Sequence, residues 1–413
     1  MELKMHILFL ADNFTPEVNA LASRTFEHCR EWVREGHKVT VITCAPNFPK
    51  GKVFKGYKNR LWQKEMLEGI HVIRVWTYIT PNEGIYKRTL DYISFMISST
   101  LGALCVRKVD IVIGSSPQFF PVCAAWFVGK LKRIPWVFEL RDFWPESIKA
   151  VGALKDSWII RMFEKLEMFL YRQATHIVAV THTFKKILIE RGINPSKISV
   201  ITNGVDLSHF NFSLKDEDLL ESLNLKGKFI VGYIGTHGMA HSLETLLEAA
   251  SILKYNYSVN DVSFLFLGDG ACKKELIQNT KEKNLDNVIF LDSVSKGDVK
   301  KYWSLLDLSI IHLRKADLFQ TVIPSKLFES MGMGIPVLHG VPGESAEIVK
   351  QYNVGEIFES ENAQNIVHLI LKLYKEPAIL KIFKENSEYS AKYFDRKNLA
   401  LEMLSVIKKL DEK

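Results

Sequence analysis

The sequence predicts an α/β protein made of two doubly wound, Rossmann-like lobes whose parallel sheets face a cleft. Three observations carry that prediction. At 413 residues with 47% hydrophobic content, the chain is long for one core and comfortable for two. Short apolar runs recur along it with amphipathic stretches between them, and the second half repeats the alternation of the first. The runs are continuously apolar, the pattern of strands covered on both faces in a parallel sheet.

In the first half these runs fall at residues 7–11, 38–43, 72–75, 111–114, 136–140, 176–180 and 198–201. In the second they fall at 229–235, 263–268, 287–291, 308–312 and 335–339, several followed by a helical pattern such as 243–255. Each lobe is expected to bind at the carboxyl ends of its strands, with ligands favouring the cleft. The boundary is expected after Asn203-Gly204-Val205-Asp206, where a run ends in a turn and a polar stretch follows. This gives a first lobe at 1–206, a second lobe at 207–390 and a C-terminal helix at 391–413. Leu399, Met403, Val406 and Leu410 of that helix can pack on either lobe.

Residues 1–206 hold 29 Lys and Arg against 19 Asp and Glu, a balance of +10, and the remainder holds 25 against 28, a balance of −3. The basic half is expected to meet something anionic. Nucleic acid is disfavoured, because the basic residues are dispersed and no helix-turn-helix, zinc-finger or RNP signature is present; an anionic membrane surface fits better. Cys29, Cys44, Cys105, Cys123 and Cys272 show no paired spacing, which points to buried thiols in a reducing compartment. The short apolar run from Ile7 turns polar at Asp12 and reads as a first strand, not a signal peptide, so a cytosolic protein is expected.

The most informative segment is Pro324-Ser325-Lys326-Leu327-Phe328-Glu329-Ser330-Met331-Gly332-Met333-Gly334-Ile335-Pro336-Val337. It reads as a helix start, a glycine break and a buried strand. Ser325 can cap the helix, whose free N–H groups favour an anion, and Lys326 adds a full charge beside them. Glu329, three residues on, shares a face with Lys326 and can accept from ribose hydroxyls while the lysine meets phosphate. A solvated Lys–Glu pair is the alternative. Gly235-Thr236-His237-Gly238 follows the first strand of the second lobe, where small residues let main-chain N–H groups approach a phosphate, or simply turn the chain. Gly268-Asp269-Gly270 has the same two readings. His237 can donate one hydrogen bond or cover the turn.

On the acceptor side, Arg141-Asp142-Phe143-Trp144-Pro145-Glu146 ends a predicted strand facing the cleft, and ions beside aromatic groups are costly there without a task. Asp142 or Glu146 can orient or deprotonate an acceptor hydroxyl. Arg141 can meet its phosphate or hold Asp142, and Trp144 can stack on a sugar. Phe119 and Phe120 can line an acceptor channel or pack. The apolar stretch from Leu90 to Val106, flanked by Tyr86-Lys87-Arg88 and Arg107-Lys108, is slightly short to span a membrane and reads as an interfacial helix, a core helix or both. Asp216-Glu217-Asp218 is read as a solvated acidic run, so no metal is expected.

These motifs together, with Asn13-Phe14-Thr15-Pro16-Glu17 and Gly36-His37-Lys38-Val39-Thr40-Val41-Ile42-Thr43, resemble glycosyltransferase family 4 of GT-B architecture, in particular members that build bacterial O-antigen or capsule on a lipid carrier, such as the L-fucosamine transferase type. The resemblance implies a UDP-sugar donor, an N-acetylated hexosamine or deoxyhexosamine, transferred with retention to a polyprenyl-diphosphate-linked saccharide. No cofactor is implied beyond that donor substrate, and the enzyme is expected on the inner face of the membrane. The implied donor site gathers Asn19, Ala20, Arg24, Gly235, Thr236, His237, Gly238, Gly268, Asp269, Val294, Thr321, Val322, Ile323, Pro324, Ser325, Lys326 and Glu329. Glu329 matches the second glutamate of the family's E-x7-E pattern, but the first position is Thr321, and Asn19-Ala20 stands where relatives carry two glycines. The Gly235 turn lacks the relatives' Arg and Lys, leaving Lys326 as the diphosphate cation. A UDP-sugar epimerase of the same architecture and a non-catalytic membrane-peripheral assembly protein are the competing readings.

Overall fold

A computed structural model describes residues 4–48, 50–80, 85–117, 119–143 and 158–411. The chain divides into two units. The first comprises residues up to Thr202 together with those from Arg396 onward, and the second runs from Asn203 to Asp395.

The first unit holds β1 (His6–Leu10), β2 (Lys38–Cys44), β3 (Trp62–Leu67), β4 (Ile70–Val75), β5 (Ile111–Ser115), β6 (Trp136–Leu140), β7 (His176–Ala179) and β8 (Ile198–Val200), in the order β3-β4-β2-β1-β5-β6-β7-β8. All pairings are parallel except β3 with β4. The second unit holds β9 (Phe229–Ile234), β10 (Val262–Leu267), β11 (Val288–Leu291), β12 (Leu308–His312), β13 (Val337–Gly340) and β14 (Gly355–Ile357), ordered β11-β10-β9-β12-β13-β14 and parallel throughout. The continuous apolar runs are the central strands, whose residues are buried without alternation. β3 has no such run: its residues alternate between exposed and partly covered, as an antiparallel edge strand requires.

The C-terminal helix Arg396–Asp411 lies on the first unit. Leu399, Met403, Leu404 and Ile407 join the core beneath the helix Ala20–Arg34, alongside Phe9, Val41 and Ile113. Trp32, fully buried, donates its indole N–H to the Ala400 carbonyl at 2.8 Å, and Arg396 pairs with the buried Glu27. Leaving either member of such a pair alone in the interior costs several kcal/mol, so the pair fixes where the returning chain lands. The thiols are less uniformly buried than expected: Cys29 and Cys44 are buried, Cys105 is exposed, and none of the five forms a disulfide.

Trp32→Ala removes both a large buried ring and the anchor of the last helix. It is expected to lower the stability of the first unit by about 3–5 kcal/mol, measured by chemical denaturation followed by circular dichroism.

Candidate active site

The order of the second sheet reverses between β9 and β12, so the carboxyl ends of these strands flank its topological switch point. β9 runs straight into Gly235-Thr236-His237-Gly238. At Gly235, with φ +142°, a Cβ would lie 2.3 Å from Lys326 Cε and 2.7 Å from its Nζ. The missing side chain is a slot, and the lysine occupies it. At Gly268, with φ +150°, a Cβ would lie 1.9 Å from the Gly235 carbonyl oxygen. The turns after β9 and β10 therefore lie against each other. They are stitched by Gly235 N–H to Leu267 O at 2.9 Å, His237 N–H to Asp269 O at 2.9 Å and Cys272 N–H to His237 O at 3.0 Å.

Lys326 comes from the helix Ser325–Gly332, which starts at Pro324 with no side chain capping it. Ser325 is thus the first helical residue and not the cap the sequence suggests, because Pro324 already supplies the extended backbone that enters the helix. Lys326 Nζ donates to the Tyr233 hydroxyl at 2.9 Å and lies 4.4 Å from that ring's centre. Tyr233 in turn donates to the Thr236 carbonyl at 2.8 Å. Burial lowers the lysine's pKa to about 8, and the Glu329 carboxylate one turn on opposes that shift. Lys326 and Glu329 are both half-buried, so neither is a freely solvated surface group.

His237 is fully buried, and neither ring nitrogen has a partner among the described residues. Burial first, then Lys273 and Lys326, push its pKa down to about 4, so the ring is neutral at physiological pH. It stands edge-on to the stacked Phe266 and Phe290 and forms the floor of the Gly235–Gly238 turn. The Asp269 carboxylate accepts the Gly270 N–H at 2.8 Å and closes its own turn. Thr321 ends the short turn Asp317–Thr321 with its hydroxyl on Leu318 O, Val322 is extended, Ile323 is buried, and Val294 packs on the apolar core beneath.

Two features were not singled out from the sequence. Tyr233 is buried with its hydroxyl at the turn, and its signal is a tyrosine two residues before a strand-end glycine. Arg314 and Lys315 follow β12 directly, on the other side of the switch point; Arg314 N–H donates to Ala240 O at 2.8 Å, tying that strand end to the turn beyond Gly238. A basic pair immediately after an apolar strand was the legible signal.

In the first unit several expectations are corrected. Arg24 is 1% exposed within the helix Ala20–Arg34, where it pairs with the buried Glu139 at 2.9 Å and donates to the carbonyls of Ile201 and Thr202. Its charge is committed to the fold, so it is not a donor-phosphate ligand. Arg141 donates to the carbonyls of Ala20 and Leu21 at 3.0 and 3.4 Å, and burial lowers its pKa to about 9 against the support of Glu139. Asn19 caps that helix through its side-chain oxygen on Ala22 N–H at 2.8 Å. Phe119 and Phe120 are 2% and 7% exposed and pack edge-to-face with Phe163, as core and not as a channel wall. Asp142 follows β6 as expected, whereas Trp144 and Glu146 lie outside the described residues. Asp216 caps the helix Glu217–Ser222, and among the described residues no group of three or more His, Cys, Asp or Glu is placed to hold a metal ion.

Residues 21–209 match the family model for Glycosyltransferase Family 4, and residues 215–390 match that for Glycosyl transferases group 1. The chain belongs to glycosyltransferase family 4. Within this glycosyltransferase's relatives, WcaI of Escherichia coli strain K12, named for colanic acid biosynthesis, is 24% identical over 80% of this chain and 82% of its own. The N-acetylgalactosamine-N,N'-diacetylbacillosaminyl-diphospho-undecaprenol 4-alpha-N-acetylgalactosaminyltransferase of Campylobacter jejuni is 24% identical over 72% of this chain and 75% of its own. Anabaena HepE, solved with UDP and glucose, superposes with a TM-score of 0.74 at 18% identity over 98% of this chain and all of that one, which shows the GT-B fold.

An ammonium held near pKa 8 gives up its proton in the native state while the unfolded chain, near 10.5, retains it. Between those values the unfolded state binds more protons, so stability rises with pH. Lys326→Met is expected to remove that rise. Gly235→Ala, whose methyl collides with the lysine's own chain, is expected to flatten it too, as read by denaturation midpoints across pH 8–10.

Proposed function

We propose that this family 4 glycosyltransferase is a hexosyltransferase that moves an N-acetylated hexosamine or deoxyhexosamine, with retention, from a UDP-sugar to a polyprenyl-diphosphate-linked acceptor in the assembly of a bacterial O-antigen or capsule. The observation that carries the reading is Lys326 threading the Gly235 slot beside an uncapped helix start, with Glu329 one turn on. The helix start and the ammonium meet the diphosphate as negative charge grows on the departing oxygen, and the fixed donors need no rearrangement at that moment. Glu329 accepts from the ribose hydroxyls. The main-chain N–H groups of Thr236 and Gly238, not those of Gly235 and His237 that tie the turn to β10's turn, approach the phosphates.

The charge on the leaving diphosphate is met in this way by protein groups, and a divalent ion is not required. With no carboxylate at Thr321, the sugar is held by main-chain N–H groups of 321–323 or by another side chain. Asp142 or Glu146 orients the acceptor hydroxyl. The relatives' names support the lipid-linked acceptor: the Campylobacter jejuni protein is named for an undecaprenyl-diphosphate-linked one. Among the described residues no helix is long and apolar enough to cross a membrane. In this reading the enzyme meets its acceptor as a peripheral protein at the cytoplasmic face, through its basic first unit, and the +10 balance of residues 1–206 supports it.

Lys326→Ala is expected to slow transfer roughly a hundred- to a thousandfold, the loss of one preorganised donor, with folding retained; wild-type turnover in this variant rejects the role. Glu329→Gln is expected to weaken UDP binding by calorimetry. Transfer is expected to persist in chelator. A thermal-shift panel of UDP, GDP and dTDP sugars identifies the donor, since ligand at a hundred times its dissociation constant adds about 2.7 kcal/mol. Conversion of a UDP-sugar to an isomer without acceptor would instead favour the epimerase.

A further inference from the structure

The first unit presents a basic and aromatic surface that the donor and acceptor chemistry leaves unused. Between β2 and β3 stand Lys50, Lys52, Lys55, Lys58 and Arg60, all exposed, with no acidic residue from 50 to 60. None of the five has an ion-pair partner among the described residues. Elsewhere the molecule pairs many exposed lysines with acids, as at Lys226–Glu221, Lys315–Glu359 and Lys350–Glu347. Here the positive charge is left uncompensated.

The loop carrying it is built, not slack. Asn47 and Phe48 donate their N–H groups to the buried Glu17 carboxylate at 2.6 and 2.8 Å, and Phe54 N–H reaches Pro46 O at 2.9 Å. Asn59 exchanges two hydrogen bonds with the main chain of Thr77 at 2.6 and 3.2 Å. The Arg74 guanidinium, itself held by Glu65, lies 4.9 Å over the Tyr57 ring. These ties fix the cations on one scaffold.

Apolar side chains border them. Leu61 is 81% exposed, and Trp62, Trp76 and Tyr78 at the ends of β3 and β4 are also exposed. The patch continues onto the helix Ile85–Cys105: Trp62 Cζ3 lies 3.3 Å from where a Cβ on Gly102 would sit, and Tyr78 N–H donates to Ser94 Oγ at 2.8 Å. On that helix Leu90, Ile97 and Leu101 are exposed with spacings of seven and four residues, one stripe of its surface. Cations again stand at its borders, Arg88 at the start and Arg107 past the end.

A loop of lysines and an arginine without acids, aromatic rings and an exposed aliphatic stripe, whose helix carries Asp91 with its pKa raised by burial to about 7, match a bilayer's two layers, phosphates outside and acyl chains beneath. We propose that the 50–60 loop, the exposed ends of β3 and β4 and the Leu90–Leu101 stripe form one docking surface for an anionic phospholipid bilayer. The loop cations meet headgroup phosphates, and the rings and leucines settle at the acyl boundary. This deepens the membrane-peripheral reading above and rests on it for its partner, but its test does not depend on sugar transfer.

The full chain is sedimented with vesicles of phosphatidylcholine alone, and with vesicles that also contain phosphatidylglycerol, at low and high salt. Binding is expected only with phosphatidylglycerol and is expected to weaken with salt. The triple variant Lys50→Glu, Lys52→Glu, Lys55→Glu is expected to lose at least about tenfold of that binding. Leu61→Ser with Leu101→Ser, at two exposed sites, is expected to weaken it by a smaller factor. Transfer to a short-chain, water-soluble acceptor is expected to be unchanged in the triple variant, which shows that it folds. Equal binding to neutral vesicles, or undiminished binding of the triple variant to anionic ones, overturns the proposal. So does binding that appears only when neutral vesicles carry a polyprenyl diphosphate, because the loop then reads the acceptor. Absence of transfer in the wild-type protein with intact vesicle binding removes the catalytic reading and leaves this one standing.

Discussion

The second unit's switch point is organised around one half-buried cation, Lys326. An ammonium removed from water is costly unless partners surround it, and Lys326 finds a hydroxyl, an aromatic face and a carboxylate within one turn of its own helix. The hydroxyl and the ring belong to one residue on a strand, and the carboxylate to the lysine's own helix. Tyr233 sits on β9, Glu329 on the helix, and Gly235 leaves the room through which the side chain passes. These groups leave the lysine charged near neutrality, yet its pKa is lowered by burial that nothing fully offsets. In the function proposed above, a diphosphate completes this environment by adding negative charge beyond that of Glu329.

The first unit uses its interior charges differently. Arg24 with Glu139, and Arg396 with Glu27, are paired within the fold, and Ser115 adds a hydrogen bond to Glu139 at 2.6 Å. Arg24 spends its remaining donors on the carbonyls of Ile201 and Thr202, where this unit's first stretch of chain ends, and Arg396 stands where the chain returns. Breaking one such pair leaves an uncompensated buried charge, so these arginines locate the chain and are not available to a ligand. An arginine near a glycine-poor loop and one beside an aspartate look alike in sequence to phosphate ligands. Burial separates the two cases.

How much of this was legible depended on whether the signal was local. Continuous apolar runs disclosed the central strands of both sheets, since strands covered on both faces tolerate no polar alternation. β3 was missed because an edge strand need not be apolar, and β14 because Gly355–Ile357 is too short to form a run. Lys326 and Glu329 were legible because one helical turn joins them. Tyr233 was not, because its partnership with Lys326 spans 93 residues and exists only once β9 and the helix are placed. Ser325 misled for a related reason: a serine before a helical pattern resembles a cap, and only the backbone shows that Pro324 has taken that place.

The departures from the family's pattern become coherent when read through the same cation. A turn that kept an arginine and a lysine after Gly235 would bring two further charges to the place Lys326 already fills, and like charges that close repel unless each has its own anion. Here the turn is instead Thr236-His237-Gly238, with His237 held neutral by burial, then by Lys273 and Lys326. The histidine fills the volume beneath the turn without adding charge, so the positive field at the turn comes from Lys326, Lys273 and the helix start. Arg314 and Lys315 stand beyond it, each offset by an acid at Glu361 or Glu359. Lys273 is likewise committed, to the Gly268 and Leu291 carbonyls and to Asp292, so Lys326 is the cation in the turn's own slot, and the geometry of Gly235 decides where its charge lies.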